Sequence, residues 1–386
     1  MRGPARPGAA VRLNDAMPTR RVCYPGRAAR MTVATKTDLG ASAWMIDDEV
    51  VRLREWSTDR SYALPAGAAE LTIGSAETCS LQLIDPTSCL SRQHVQLVRD
   101  GARWIARDLD SKNGMLLDGV RRPKVLLEPG SELGLGGITL VAESPRLIAL
   151  RSYLARILGW TTARSEAVDL AVRSVRLAAT RRAQLALCGD GELVPVARGL
   201  HRYALGDGPP FVLCDPKRLP GATELLVDNY PTGMTALRAA AGGSLCVWAK
   251  RLPRDFAELT TALRDPRTRV QLIACGRRPS DRTELVSAPI EVPPLNSRRA
   301  ELDRIIEEYA GDAAAALRLP PGFSQVDRDW VRCYSASSLP EVEKGTLRLA
   351  ALRGAGNVAR AAALLGISHS SLGEWINRRR MPIGLK

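Results

Sequence analysis

At 386 residues the chain is long for a single core, and its length implies two or three domains. Its 45% hydrophobic content is enough for packed cores, yet no apolar run approaches the ~20 residues that a membrane span requires. A formal net charge of +14 favours polyanionic partners, nucleic acid first, against the plainer reading of an Arg-rich surface facing water.

Eight cysteines are scattered along the chain without a C-x-x-C pair, and three histidines are too few to suggest zinc. Cys188, Cys246 and Cys275 lie in apolar runs, where the thiol behaves as a small hydrophobe. That usage fits a reducing cytoplasm. Neither a metal nor a cofactor is expected. Residues 1–41 hold Arg, Pro, Gly and Ala without periodicity and are expected to be a disordered basic segment. They are either an arm that touches nucleic acid or an overextended start, with Met17 or Met31 as the true beginning. No apolar stretch there suits a secretory signal.

Residues 42–145 read as all-β. Short runs such as Val50–Arg54, Glu70–Gly74, Ser80–Leu83 and Ile138–Val141 are separated by turn residues, the pattern of a sandwich. His94–Val98 and Trp104–Leu109 alternate like half-buried strands, and Asp100-Gly101 between them is a hairpin turn. Antiparallel pairing would bring Ser91-Arg92-Gln93-His94 and Ser111-Lys112-Asn113-Gly114 to one end of the sheet. Hydroxyls, an Arg, a Lys and an Asn amide gathered there can receive an oxyanion.

Ile73-Gly74, Leu81 to Asp85, Ser91-Arg92-x-His94, Asp108-Leu109, Ser111-x-Asn113-Gly114 and Leu133-Gly134-Leu135-Gly136, in this order, resemble the forkhead-associated (FHA) domain. The resemblance implies a β-sandwich whose loops bind phosphothreonine peptides. It assigns Ser91 and Arg92 to the phosphate-contacting loop, Lys112 to the next loop and Asn113 to the peptide backbone. It makes His94 and Gly114 structural. Ser75 stands where the family has an Arg that pairs with the phosphate. The change gives up a charge-assisted contact of roughly 1.5–3 kcal/mol, which Arg92 and Lys112 would have to replace.

Residues 146–310 read as α/β. A helix is expected over Arg164–Arg182, then a buried strand over Gln184–Cys188, a Gly189-Asp190-Gly191 turn and a helix over Val194–Tyr203. Strand, glycine turn and helix is where a phosphate-binding loop would sit, but nothing from Ala183 to Leu205 is Lys, Ser or Thr. The cation for the β- and γ-phosphates and the hydroxyl for magnesium are missing. Ala197–His201, Pro210–Val212, Ala241–Leu245, Arg251–Pro253, Arg269–Ala274 and Ile290–Leu295 follow one another in an order that resembles the AAA+ domain of sigma-54-dependent activators (bacterial enhancer-binding proteins). Trp248-Ala249 replaces the family's Asp-Glu pair, and its sigma-contacting GAFTGA loop is absent from Leu219–Leu237. The resemblance therefore implies a degenerate core with no catalytic residues.

Residues 311–338 are expected to be a linker, and 339–386 an all-α DNA-binding unit. Glu341–Arg353, Val358–Leu365 and His369–Arg380 read as three helices, with Gly366 at the sharp turn and Ser368 able to cap the last. Gly356-Asn357, Ala361-Ala362, Leu365-Gly366-Ile367-Ser368 and Leu372 resemble the Fis-type helix-turn-helix of the same activators. His369, Ser370 and Ser371 are then placed to reach base edges, and Arg378, Arg379 and Arg380 to meet phosphates. Glu374 either weakens affinity or reads a cytosine amino group. Trp375 either touches the groove or packs. Leu372 and Ile376 face the core.

The expected protein is a cytoplasmic bacterial transcription regulator of three parts: an all-β FHA sandwich, a degenerate α/β AAA+-like domain and an all-α helix-turn-helix. Its expected partners are double-stranded DNA and a phosphothreonine protein, a Ser/Thr kinase or its substrate. It is expected to form a homodimer, because one such helical unit covers a half-site. The alternatives are a divergent ATP-dependent sigma-54 activator and a phospho-dependent scaffold that does not bind DNA.

Overall fold

The computed structural model describes residues 49–381, apart from 182, 219–220, 223–226, 266, 279–288, 321 and 380. The N-terminal segment of residues 1–41 and Arg380 therefore lie outside the described residues.

The first part is built from β1 (Arg52–Glu55), β2 (Ser61–Ala63), β3 (Glu70–Gly74), β4 (Leu81–Gln82), β5 (Val95–Asp100) and β6 (Arg103–Asp108), followed by β7 (Met115–Leu117), β8 (Val120–Arg121), β9 (Lys124–Leu127), β10 (Glu132–Leu135) and β11 (Ile138–Glu143). They form a six-stranded sheet, β2-β1-β11-β10-β7-β8, and a five-stranded sheet, β4-β3-β5-β6-β9. Period-two alternation decides which side chains meet between the sheets. Leu53, Leu133, Leu135, Leu140 and Ala142 of one sheet join Ile73, Val95, Leu97, Trp104 and Ala106 of the other in one core. The Asp100-Gly101 turn closes β5 onto β6 as expected, with Gly101 at φ +62 and Asp100 opposite Arg103. Strands β2 and β9 were not legible: β2 is short and lies at a sheet edge, and β9 follows a proline.

The six-stranded sheet also buries its outward face. Arg54, Val141 and Glu143 are covered there by two helices, α1 (Pro145–Leu158) and α2 (Thr162–Arg181). Helix α1 was not foreseen. The Ser144 hydroxyl caps it by accepting the Leu147 N–H at 3.2 Å, and Pro145 occupies its first turn. Arg54 grips Asp169 of α2 with two nitrogens, at 3.0 and 2.7 Å, and donates its Nε to Glu143 at 2.8 Å. Arg151 adds a 3.1 Å bond to Asp169. Burial works against the charge of Arg54, but Glu143 and Asp169 outweigh it and raise its pKa.

The second part is a mostly parallel sheet of β12 (Leu185–Gly189), β13 (Phe211–Cys214), β14 (Gly221–Ala222), β15 (Asp228–Asn229), β16 (Ser244–Trp248), β17 (Gln271–Gly276) and β18 (Ile290–Val292). Their order is β14-β15-β13-β16-β17-β12-β18, with only β14 antiparallel to its neighbour. Its central strands are apolar on both faces because both are covered. Val212, Leu245, Val247, Leu272 and Ala274 face α4 (Gly233–Ala239) and α5 (Phe256–Leu263). Leu187, Leu213, Cys246 and Ile273 face the other way, into the core shared with α1, α2 and α3 (Val194–Leu205).

That larger core runs on into α6 (Leu302–Leu317), α7 (Gln325–Tyr334), α8 (Leu339–Ala355), α9 (Val358–Leu365) and α10 (His369–Arg378). The expected linker of 311–338 is corrected here. Helix α6 carries buried Ala313 and Ala314 through that region, and α7 buries Trp330 and Val331. A capping box between Ser324 and Asp327 starts α7. The alanines from Ala313 to Ala316 continue α6 and mark no break, and α6 and α7 are separated only by the short stretch between Leu317 and Gln325.

Candidate functional site

Three loops meet at one end of the sandwich: those joining β3 to β4, β4 to β5, and β6 to β7. The first two are strapped together by backbone. Ser75 N donates to Ser91 O and Ala76 N to Arg92 O, both at 3.1 Å. The approach needs a glycine before Ser75, since a Cβ on Gly74 would lie 2.1 Å from Arg92 O. The third loop is joined by two bonds. Lys112 N donates to Ser91 Oγ at 3.1 Å, and Asn113 Nδ2 donates to Cys89 O at 2.7 Å. Ser91 keeps its own O–H to donate, and Asn113 keeps a carbonyl oxygen to accept. Arg92, Lys112 and Asn113 are exposed, while Ser75 and Ser91 are half-buried. All five expected residues therefore lie on loops that are bonded to one another.

His94 holds the arrangement from beneath. It is fully buried, and its Nδ1 accepts the Ser91 N–H at 3.2 Å. That amide can only donate, so the ring proton sits on Nε2, which donates to Gly114 O at 3.2 Å. Burial lowers the His94 pKa below 6.5, against smaller opposing effects from the Gly114 carbonyl, Asp108 and Asp85. A second ring proton would also point at the Ser91 N–H.

Asp85 had no assigned role in the sequence and proves to be the brace of the long β4–β5 loop. Its carboxylate accepts the Thr87 N–H and hydroxyl at 2.9 and 2.7 Å, the Cys89 N–H at 2.8 Å and the Gly137 N–H at 3.3 Å. Burial alone would raise its pKa, but these donors hold it below the ordinary carboxylate value. Gly136, at φ +61, is required beside it, because a Cβ there would meet Leu90 N at 2.7 Å.

Helix α10 is the second candidate surface. Ser368 caps it by accepting the Ser371 N–H at 3.1 Å, and Gly366 turns the chain before it at φ +66. His369, Ser370, Glu374 and Arg378 are exposed, and Ser371 is half-buried. Trp375 does not lie on that face. It is buried with Leu372 and Ile376, edge-on to Trp330 at 5.5 Å. Arg379 also turns inward: its guanidinium stacks 5.3 Å from the Trp375 ring and pairs with Glu341. Arg378 pairs with Glu374 at 2.7 Å.

A third feature is a cleft of about 310 Å³ at the carboxyl ends of β12, β16 and β17, lined by Gly191, Glu192, Trp248, Lys250, Arg251, Gly276 and Arg277. Open α/β sheets bind ligands at such strand ends. The carboxylate of Glu192 is paired with Arg218 at 2.6 Å.

Residues 71–136 match the model of the FHA domain. No curated protein sequence matches the chain. Among solved structures, an FHA domain of Rv1747 from Mycobacterium tuberculosis is 26% identical, over 25% of this chain and 97% of its own, with a TM-score of 0.21. Mycobacterium tuberculosis EmbR, solved with a low-affinity phosphopeptide, is 26% identical over 24% of each chain, with a TM-score of 0.22. An FHA domain of Arabidopsis thaliana is 22% identical over 28% of this chain and 93% of its own, with a TM-score of 0.23.

Proposed function

We propose, with the FHA domain at residues 71–136 as premise, that the chain is a DNA-binding regulator that reads phosphothreonine and whose AAA+-like middle domain is catalytically inactive. The observation that carries this reading is the junction of the loops. Ser91, Lys112 and Asn113 are neighbours through the Lys112 N–H to Ser91 Oγ bond, and Arg92 follows Ser91 directly. A hydroxyl and two cations gathered this way suit a phosphate of charge about −1.5 to −2.

The middle domain supports inactivity through what occupies its cleft. Trp248 and Arg251 line the place where a magnesium-holding pair would be needed, and Glu192 is neutralised by Arg218. The DNA-binding reading is supported by the tight turn from α9 to α10 and by the exposed His369, Ser370 and Arg378 at the start and end of α10. The partner expected at the sandwich is a phosphorylated kinase or kinase substrate. A second copy of the chain would complete a two-half-site operator.

The test is fluorescence anisotropy of the full chain with a threonine peptide before and after phosphorylation. Saturable binding of the phosphorylated form alone supports the reading, and equal binding of both forms sinks it. For the other end, DNA affinity is measured against salt. A steep fall, lessened in Arg378→Ala, supports phosphate contact by α10. Steady ATP turnover by the purified chain would overturn the inactive core.

A further inference from the structure

The residue that follows the expected peptide contacts has a neighbour which the motif does not include. Gly114, next after Asn113, adopts φ +74, and a Cβ built there would lie 2.3 Å from Nε and 2.7 Å from Cζ of Arg121. The Arg121 guanidinium thus occupies the space that the missing side chain leaves. The sheet register puts it there: Arg121 pairs with Leu116 across β7 and β8, and Arg122 N donates to Met115 O at 3.0 Å. The chain therefore returns beside Gly114 at the end of edge strand β8. Arg121 is exposed and has no carboxylate or carbonyl partner among the described residues.

If a phosphate sits at Ser91 and Lys112 and the peptide backbone at Asn113, as proposed above, then Arg121, exposed beside Gly114, is next to the peptide segment that flanks the phosphothreonine. We propose that Arg121 is a specificity-determining residue of this site, taking an anionic side chain beside the phosphothreonine. That side chain is a carboxylate or a second phosphate. The inference rests on the phosphothreonine reading above. It gives the partner a chemical class, an acidic phosphothreonine segment. It also gives a reason for the cation at Arg121: the site has a neutral Ser75 where the family places charge, so a flanking anion adds a second point of attachment.

The test uses the full chain and four phosphothreonine peptides that differ only in their flanking residues: aspartate, phosphothreonine, alanine or lysine. The unmodified chain should prefer the aspartate peptide to the alanine one by about five-fold, the size of one exposed ion pair. A larger preference for the doubly phosphorylated peptide would identify a second phosphate as the natural anion. Arg121→Ala should abolish the preference and leave the alanine peptide's affinity unchanged, and Arg121→Glu should favour the lysine peptide. A preference that survives Arg121→Ala, or an equal loss for all four peptides, overturns the role. Arg121 lies exposed on an edge strand, and an unchanged melting temperature would confirm that the variants fold. If none of the four peptides binds the unmodified chain, the phosphothreonine reading itself fails, and this inference with it.

Discussion

At the loop end of the sandwich, Arg92, Lys112, Arg121 and Arg122 are exposed without acidic partners among the described residues. On α10, by contrast, Arg378 is paired with Glu374 and Arg379 is folded against Trp375 and Glu341. The first array has no charge paired with a carboxylate among the described residues. The second has committed part of its charge within the chain. An anion at the sandwich meets groups that need no prior release, whereas a phosphate at α10 must first displace carboxylates. The formal surplus of +14 is thus a poor guide to where polyanions bind. What counts is which cations the fold leaves unpaired.

The largest effect is expected at the buried face of α10. Trp375→Ala should destabilise the C-terminal helices by about 3–5 kcal/mol, because it empties a site packed against Trp330. Chemical denaturation followed by circular dichroism would register this, and a loss under 1 kcal/mol would return Trp375 to the surface. Next in size, Ser91→Ala combined with Arg92→Ala should weaken phosphothreonine-peptide binding by about 3 kcal/mol, roughly 100-fold, with the melting temperature little changed. Calorimetric titration would measure it.

A smaller effect concerns pH. Burial holds the His94 pKa below its ordinary 6.5, so the unfolded chain takes up the proton first as pH falls. The stability contributed by neutral His94 is complete above 6.5, declines as pH drops toward the folded value and then levels off. Urea midpoints at about pH 7.5 and about pH 5.5 should differ more in the unmodified chain than in His94→Gln. The smallest effect is expected at Glu374→Gln. Releasing Arg378 should tighten DNA binding by about two- to five-fold and steepen its salt dependence. Unaltered affinity in gel shifts would mean that Arg378 does not meet the DNA.

The sandwich was legible because its strands alternate and its loops carry polar clusters at fixed spacing. That His94 is structural was implied only by the resemblance to the FHA domain. Arg121 was not legible, because its place depends on a strand return that brings it beside Gly114 rather than on nearness in sequence. Trp375 was undecided between groove and core, since one turn of helix presents either face until its neighbour is known, and Trp330 settles that. Helices α1 and α7 were not legible, and of α6 only the amphipathic stretch Arg298–Tyr309 was, because the alanines that follow it mask the apolar spacing. The absence of Lys, Ser and Thr between Ala183 and Leu205 was plain in the sequence. The pairing of Glu192 with Arg218 was not, as it joins residues 26 apart.

The Arg54–Asp169 grip has a consequence for anyone who would cut the chain. A fragment ending at Glu143 would close its strands correctly and still be an unfinished object. Arg54 would lose Asp169 as its partner, together with the Arg151 that shares that carboxylate, and Val141 and Trp56 would lose their helical cover. Removing one partner from a buried pair costs about 3–5 kcal/mol, and a newly bared apolar patch invites association. Transplanting this sandwich into another protein would therefore require either carrying α1 and α2 along or repainting the face at Arg54, Trp56, Val141 and Glu143.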